Sequence, residues 1–178
     1  MNIESIETSR LILRKISQDD LLDIFEITSD STITKFLTWE PHSDIEITKE
    51  FIKSVISKYD NANLPSQWGI VLKENSKLIG ITGCSMINFE HKKAEISSLM
   101  NNAYSNNGYM TEANNAVVDY LFQKGYHRIQ AKVEVSNLAS SRMLEKSGFI
   151  YEGTFHDYLF LNGSFRSFKY FSILNKSK

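Results

Sequence analysis

Between Leu99 and Asp119 the sequence passes from a strand-like run through a polar loop into a helix, and this order constrains the chain more than any other stretch. Ala94-Glu95-Ile96-Ser97-Ser98-Leu99-Met100 leads in as a short strand. Ala113, Ala116, Val117, Tyr120 and Leu121 follow at the i, i+3, i+4, i+7, i+8 spacing of one helical face. The first turn of a helix carries unpaired N–H groups and a partial positive charge, and Gly108 has no Cβ to hold an anionic ligand away from the backbone. The loop is therefore a candidate phosphate cradle; the alternative is a polar turn that only caps a helix. Neither G-x-G-x-x-G nor G-x-x-x-x-G-K-[ST] is present, which excludes the dinucleotide fingerprint and the P-loop.

With 178 residues, 42% of them hydrophobic and 12% aromatic, the chain can bury one substantial core. Eight Gly and two Pro, without a Ser/Gly or charge run, mark no linker, so a single domain over residues 1–178 is expected. Twenty Lys and Arg against 21 Asp and Glu give a net charge of −1, which argues against nucleic acid and anionic membrane as partners. Cys84 alone forms no internal disulfide, Met1-Asn2-Ile3-Glu4 lacks the features of a secretion leader, and no apolar run has membrane-spanning length. A cytoplasmic location is the expectation. His42, His91, His127 and His156 are dispersed and Cys84 has no His or Cys beside it, so no metal is expected; G-x-S-x-G is absent too.

Arg10 to Ile16 alternates as a first strand, and Ser17 with Asp19 and Asp20 opens a helix whose face is Leu21, Ile24, Phe25 and Thr28, ending near Ser29-Asp30. Ser43 and Glu46 read as an S-x-x-E capping box before Thr48, Phe51, Ile52, Val55, Ile56 and Tyr59. Between these helices Phe36-Leu37-Thr38-Trp39-Glu40-Pro41-His42 is either satellite core or one wall of a substrate cleft. Gln67–Lys73 and Lys77–Ile87 form a hairpin that Ala94–Met100 extends, and Arg128–Val135 alternates strictly. Asn137 caps a helix through Leu138, Ala139, Met143 and Leu144 that Gly148 terminates. Phe149–Phe160 and Phe165–Leu174 are strands joined by the hairpin turn Asn162-Gly163. The order β-α-α-β-β-β-α-β-α-β-β gives an α+β (mixed α/β) fold: a mixed, mostly antiparallel sheet of about seven strands with helices on both faces.

These residues resemble the GNAT superfamily of acetyl-CoA-dependent N-acetyltransferases, in particular the branch of bacterial ribosomal-protein N-terminal acetyltransferases. The resemblance runs along nearly the whole chain. It is carried by Glu7-Thr8-Ser9-Arg10-Leu11-Ile12-Leu13-Arg14, Trp39-Glu40-Pro41, Leu78-Ile79-Gly80, Ala94-Glu95-Ile96 and Gly108-Tyr109-Met110-Thr111-Glu112-Ala113. It continues through Asn137-Leu138-Ala139-Ser140-Ser141-Arg142, Leu144-Glu145-Lys146-Ser147-Gly148-Phe149 and Tyr151-Glu152-Gly153. It implies a three-layer fold and acetyl transfer to a primary amine, by direct attack in a ternary complex. Of the family loop Q/R-x-x-G-x-G/A, matched to Ser105 through Met110, only Gly108 is kept.

The resemblance implies that the backbone of Asn106, Asn107, Gly108, Tyr109, Met110 and Thr111 holds the pyrophosphate, that Leu99 and Met100 pair with the pantetheine arm, and that Asn137 and Ser140 border the thioester. The tyrosine that many members place seven residues after that Asn is Leu144 here. Ser140 matches a serine of the ribosomal branch whose hydroxyl can donate to the developing thiolate. Glu95 is the candidate base, direct or through water, its alternative being a strand residue paired with a Lys or Arg. Tyr109 and Tyr151 read as packing residues. Phe36, Trp39 and Glu40 are the expected substrate cleft. The acceptor stays open among a peptide N-terminus, a polyamine, an amino sugar and a drug amine, as does the choice between monomer and homodimer. The alternative function is a non-catalytic acetyl-CoA- or CoA-binding module, suggested by Ser105, Met110 and Leu144.

Overall fold

The computed structural model describes residues 3–61 and 65–176, so the first two residues of the leader reading lie outside it. Strands β1 (Ile6–Glu7), β2 (Leu11–Arg14), β3 (Gln67–Leu72), β4 (Leu78–Asn88), β5 (Lys93–Met100), β6 (Arg128–Glu134), β7 (Ile150–Leu161) and β8 (Ser164–Leu174) form one open sheet. Their spatial order is β1-β2-β3-β4-β5-β6-β8-β7. Every neighbouring pair is antiparallel except β5 and β6. The sheet is the mixed, mostly antiparallel one expected. Eight strands appear instead of about seven because β1 is too short to show any alternation.

The helices are α1 (Leu21–Thr28), α2 (Ser31–Thr34), α3 (Ile45–Ile56), α4 (Tyr109–Gln123) and α5 (Leu138–Lys146). α4 covers one face of the sheet. Trp68 and Thr82 are register partners on β3 and β4, and both reach that helix: the Trp68 ring meets Tyr120 edge-on at 5.4 Å, and the Thr82 hydroxyl donates to Asn114 Oδ1 at 2.6 Å. Strand alternation turns their neighbours to the other face, where α1 rests on β4 and α3 packs on α1. Cys84 of β4 is buried, and burial pushes its thiol up to about 12, which makes it an inert core residue.

Local chemistry accounts for the boundaries. Asn162 and Gly163 both have positive φ (51° and 75°), the pattern of a type I′ hairpin turn. α3 is capped by Asp44, whose carboxylate accepts from Glu46 N–H at 2.8 Å, and not by Ser43 as the capping-box pattern suggested. A carboxylate at a helix N-terminus gains from the dipole as well as from the hydrogen bond. α2 is a single turn between the end expected for the first helix and Phe36, where the sequence reading placed no element. Asp30 caps it by accepting from Thr32 N–H at 2.7 Å, and four residues are too few to show a helical period.

Candidate active site

β5 and β6 pair only over Lys93–Glu95 and Arg128–Gln130. β5 then runs on to Met100 and β6 to Glu134 with no ladder bonds between them, so the two strands diverge from Ile96 and Ala131 onward. A cleft of about 910 Å³ opens in that wedge. Its walls are Ile96 to Met100 on one side and Ala131 to Glu134 on the other, and it continues past Asn106, Gly108 and the first turn of α4. Backbone N–H and C=O groups of both strands face it without a strand partner, a surface that suits an extended, amide-bearing ligand.

The loop before α4 turns through two left-handed positions, Asn106 (φ 63°) and Gly108 (φ 78°), and Gly108 is the N-cap. No side chain caps this helix end, so its first N–H groups stay available to a ligand. Asn106, Gly108, Tyr109, Met110 and Thr111 line the cleft, whereas Asn107 turns away and donates to the carbonyls of Tyr104 (3.3 Å) and Ser105 (3.1 Å).

A contact that local sequence patterns do not announce fixes this loop. Glu112, in the first turn of α4, accepts from the Thr8 hydroxyl (2.6 Å), the Ser9 hydroxyl (2.9 Å), Arg10 N–H (2.9 Å) and the Arg10 guanidinium (2.7 Å). Burial raises the Glu112 carboxyl, but these donors outweigh it and hold the group at about 2. Arg10 also donates to the Asn107 carbonyl at 2.9 Å and lies 4.4 Å above the Tyr109 ring. Asn114 is likewise buried on the floor of the cleft, where its amide bonds Thr82 and reaches Ser98 Oγ at 3.4 Å, joining α4 to β4 and β5.

At the far end, Asn137 caps α5 by accepting from Ser140 N–H at 3.1 Å, and Gly148 (φ 82°) follows the helix C-terminus. Asn137 and Ser140 both line the cleft. Leu144 is 2% exposed, with its packed side chain at the cleft floor. Glu95 stands outside the lining, and its carboxylate meets the Gln130 amide at 3.0 Å and the Lys132 ammonium at 3.4 Å. Glu134, a residue the sequence reading passed over, does line the cleft. It is 9% exposed, and its Oε2 accepts from the N–H and hydroxyl of Ser136, while Oε1 has no hydrogen bond among the described residues. Of the expected substrate wall, Phe36 borders the cleft, whereas Trp39 and Glu40 do not, the Trp39 ring lying 5.1 Å from that of His42.

Among the described residues no three His, Cys, Asp or Glu side chains are grouped to hold a metal, and no helix is long and apolar enough to cross a membrane.

An open mixed sheet with one splayed parallel pair, a glycine-capped helix at its mouth and an asparagine-capped helix beside it has counterparts among known proteins. Residues 10–150 match the family model described as acetyltransferase (GNAT) domain. The uncharacterized N-acetyltransferase YoaA of Bacillus subtilis is 34% identical over 160 residues, 89% of this chain and 90% of that protein. A solved GNAT-family acetyltransferase from Bacillus anthracis superposes with a TM-score of 0.86 at 29% identity, covering 96% of this chain and 98% of that one. RimL, the ribosomal L7/L12 alpha-N-protein acetyltransferase solved with coenzyme A, superposes at 0.87 and 19% identity over 98% and 100% of the two chains, which shows the shared fold. The chain belongs to the GNAT acetyltransferase family and is an acyltransferase that uses acetyl-CoA.

Proposed function

We propose that the protein transfers the acetyl group of acetyl-CoA to a primary amine, by direct attack in a ternary complex. The divergence of β5 and β6 carries this reading, because it presents unpaired backbone amides along the length a pantetheine arm needs. Ser97 to Met100 would pair with that arm, and a strand N–H near Leu99 would polarise the acetyl carbonyl. The N–H groups of Asn106 to Thr111 would take the pyrophosphate, with Asn107 contributing backbone only. Arg142 and Lys146 of α5 line the cleft without an ion pair among the described residues and add positive charge for the phosphates.

The chemistry asks for a neutral amine, aligned reactants and a stabilised thiolate. Ser140 is the proposed donor to the leaving sulfur. Of the two carboxylates, Glu134 is the better placed base because it faces the cleft with a free oxygen; Glu95, engaged by Gln130 and Lys132, would act through water. Calorimetric titration with acetyl-CoA followed by a thiol-release assay over an amine panel tests the reading. Binding with turnover of at least one amine supports it. Binding without release on any amine favours a CoA-sensing module.

A further inference from the structure

We infer that the acceptor is an amine carrying an anionic group a few bonds from its nitrogen, with Arg166 holding the anion while Glu134 faces the ammonium. This rests on the acetyl-transfer reading above and narrows its acceptor.

β8 lies beside β6 with Phe168 opposite Glu134, and Val135 N–H donates to the Ser167 carbonyl at 3.0 Å. Arg166 is two residues from Phe168, so it shares the face that carries Glu134, and diagonal strand neighbours of this kind lie roughly 7–8 Å apart. Both line a recess beside the cleft, with Phe36, Leu37 and Glu134 lining the two in common. The recess is small, about 10 Å³, so a single oxygen of an anion enters it while the rest of the acceptor stays in the cleft.

Arg142 and Arg166 are the arginines without a carboxylate partner among the described residues, and of the two Arg142 is exposed on α5. Arg10, Arg14 and Arg128 are each ion-paired to a carboxylate, of Glu112, Asp20 and Glu152 respectively. Arg166 has no such partner among the described residues, and its Nε is fully buried without a hydrogen bond. A buried, unsatisfied guanidinium donor costs stability until an acceptor arrives, and its planar fork matches a carboxylate or phosphate. Lys35, over the Phe36 ring at 4.7 Å, borders the same recess and adds a second cation.

The charge around the site points the same way. Glu112 and Glu134 are the carboxylates lining cleft and recess among the described residues, and Glu112 is committed to Arg10. A polycationic acceptor would find one free carboxylate and then Arg166 and Lys35 beyond it. An acceptor with one ammonium and one anion finds a complement for each.

The test is steady-state kinetics of the full chain with acetyl-CoA and amines matched in length: β-alanine, O-phosphoethanolamine, propylamine and 1,3-diaminopropane. The first two separate carboxylate from phosphate as the preferred anion. Expected is a kcat/KM for at least one anionic amine about 10- to 100-fold above that for propylamine, and a collapse of that ratio in Arg166→Gln through KM. Arg166→Lys should restore part of it, and retained acetyl-CoA binding confirms that the variants are folded. Preference for 1,3-diaminopropane, or an equal loss on all four amines in Arg166→Gln, overturns the subsite while leaving acetyl transfer intact. If no amine is acetylated, acetyl transfer to these amines fails separately, and titration of β-alanine and O-phosphoethanolamine into the CoA complex decides the subsite. Binding of either that Arg166→Gln abolishes keeps it, and no Arg166-dependent binding removes it.

Discussion

Arg10 and Glu112 are 102 positions apart in sequence, and their side chains are bonded at 2.7 Å. The pair ties the start of β2 to the first turn of α4, and the same guanidinium reaches the Asn107 carbonyl and covers the Tyr109 ring. The shape of the proposed pyrophosphate loop thus depends on a strand at the other end of the sequence.

Glu112→Gln should destabilise the fold by about 1.5–3 kcal/mol, the range for hydrogen bonds to a charged group, and should weaken acetyl-CoA binding severalfold by loosening the loop. Because the folded carboxyl sits at about 2, below its ordinary 4.5, its contribution is complete above pH 4.5 and is lost as the pH falls from there towards 2. Urea denaturation at pH 7, 5 and 3 should therefore show the wild-type advantage over Glu112→Gln shrinking at the lowest pH. A gap that does not change with pH would count against the ion pair as its source.

Gly108→Val should weaken acetyl-CoA binding by about tenfold or more. A Cβ at Gly108 would meet only Arg10 Nη2, at an ordinary 3.5 Å, so space is not the obstacle. The obstacle is φ +78°, which costs an L residue about 1–2 kcal/mol and a β-branched one the most. Gly125, at φ +89° beyond the other end of α4, has nothing within 4 Å of a built Cβ and serves as the control. Gly125→Val should lose comparable stability and keep its affinity. Equal effects of the two variants on affinity would remove the cradle.

His42 gives a second pH effect. Burial holds its imidazole below the ordinary 6.5, Nδ1 sits 2.8 Å from the Thr48 hydroxyl, and its backbone N–H donates to Thr28 O at 3.0 Å. The folded state thus favours the neutral ring. Its contribution is present above pH 6.5 and is lost as the pH falls below that value. Melting temperatures at pH 7.5, 6 and 5 should fall more steeply for wild type than for His42→Phe. Parallel profiles would show that another group titrates.

What the sequence made legible was local. The α5 boundaries follow from Asn137 and Gly148, and the β7–β8 turn from Asn162-Gly163, because a cap or a primed turn is written in adjacent residues. The divergence of β5 and β6 was not legible in the residues, since no residue pattern says where two strands part; the resemblance implied that Leu99 and Met100 pair with the pantetheine arm. Glu112, Glu134 and Arg166 were missed as a group for one reason. Each is a polar residue at an ordinary polar position, and its meaning comes from a partner or a gap supplied by a distant element. Trp39, expected on the cleft wall, turns to His42, a choice between two aromatic surroundings that spacing does not encode.

Ser140 and Ser141 provide the sharpest test of the proposed chemistry, because they are adjacent and differ in surroundings. Ser140 lines the cleft, and its hydroxyl makes no hydrogen bond among the described residues. Ser141 is buried, with its hydroxyl donating to the Asn137 carbonyl at 3.3 Å. If Ser140 donates to the thiolate as it forms, Ser140→Ala should lower kcat more than it raises KM for acetyl-CoA, since charge that develops in the transition state is what the bond stabilises. Loss of one such donor costs on the order of 10- to 1,000-fold, and the smaller end is expected. A thiolate is a good leaving group with diffuse charge, and Leu144 offers no hydroxyl of its own, so water can replace part of the Ser140 hydroxyl's effect. Ser141→Ala should instead lower the melting temperature with kcat near wild type. Similar kinetics for the two variants, or a kcat loss confined to Ser141→Ala, would mean that the Ser140 hydroxyl is not the group at the sulfur.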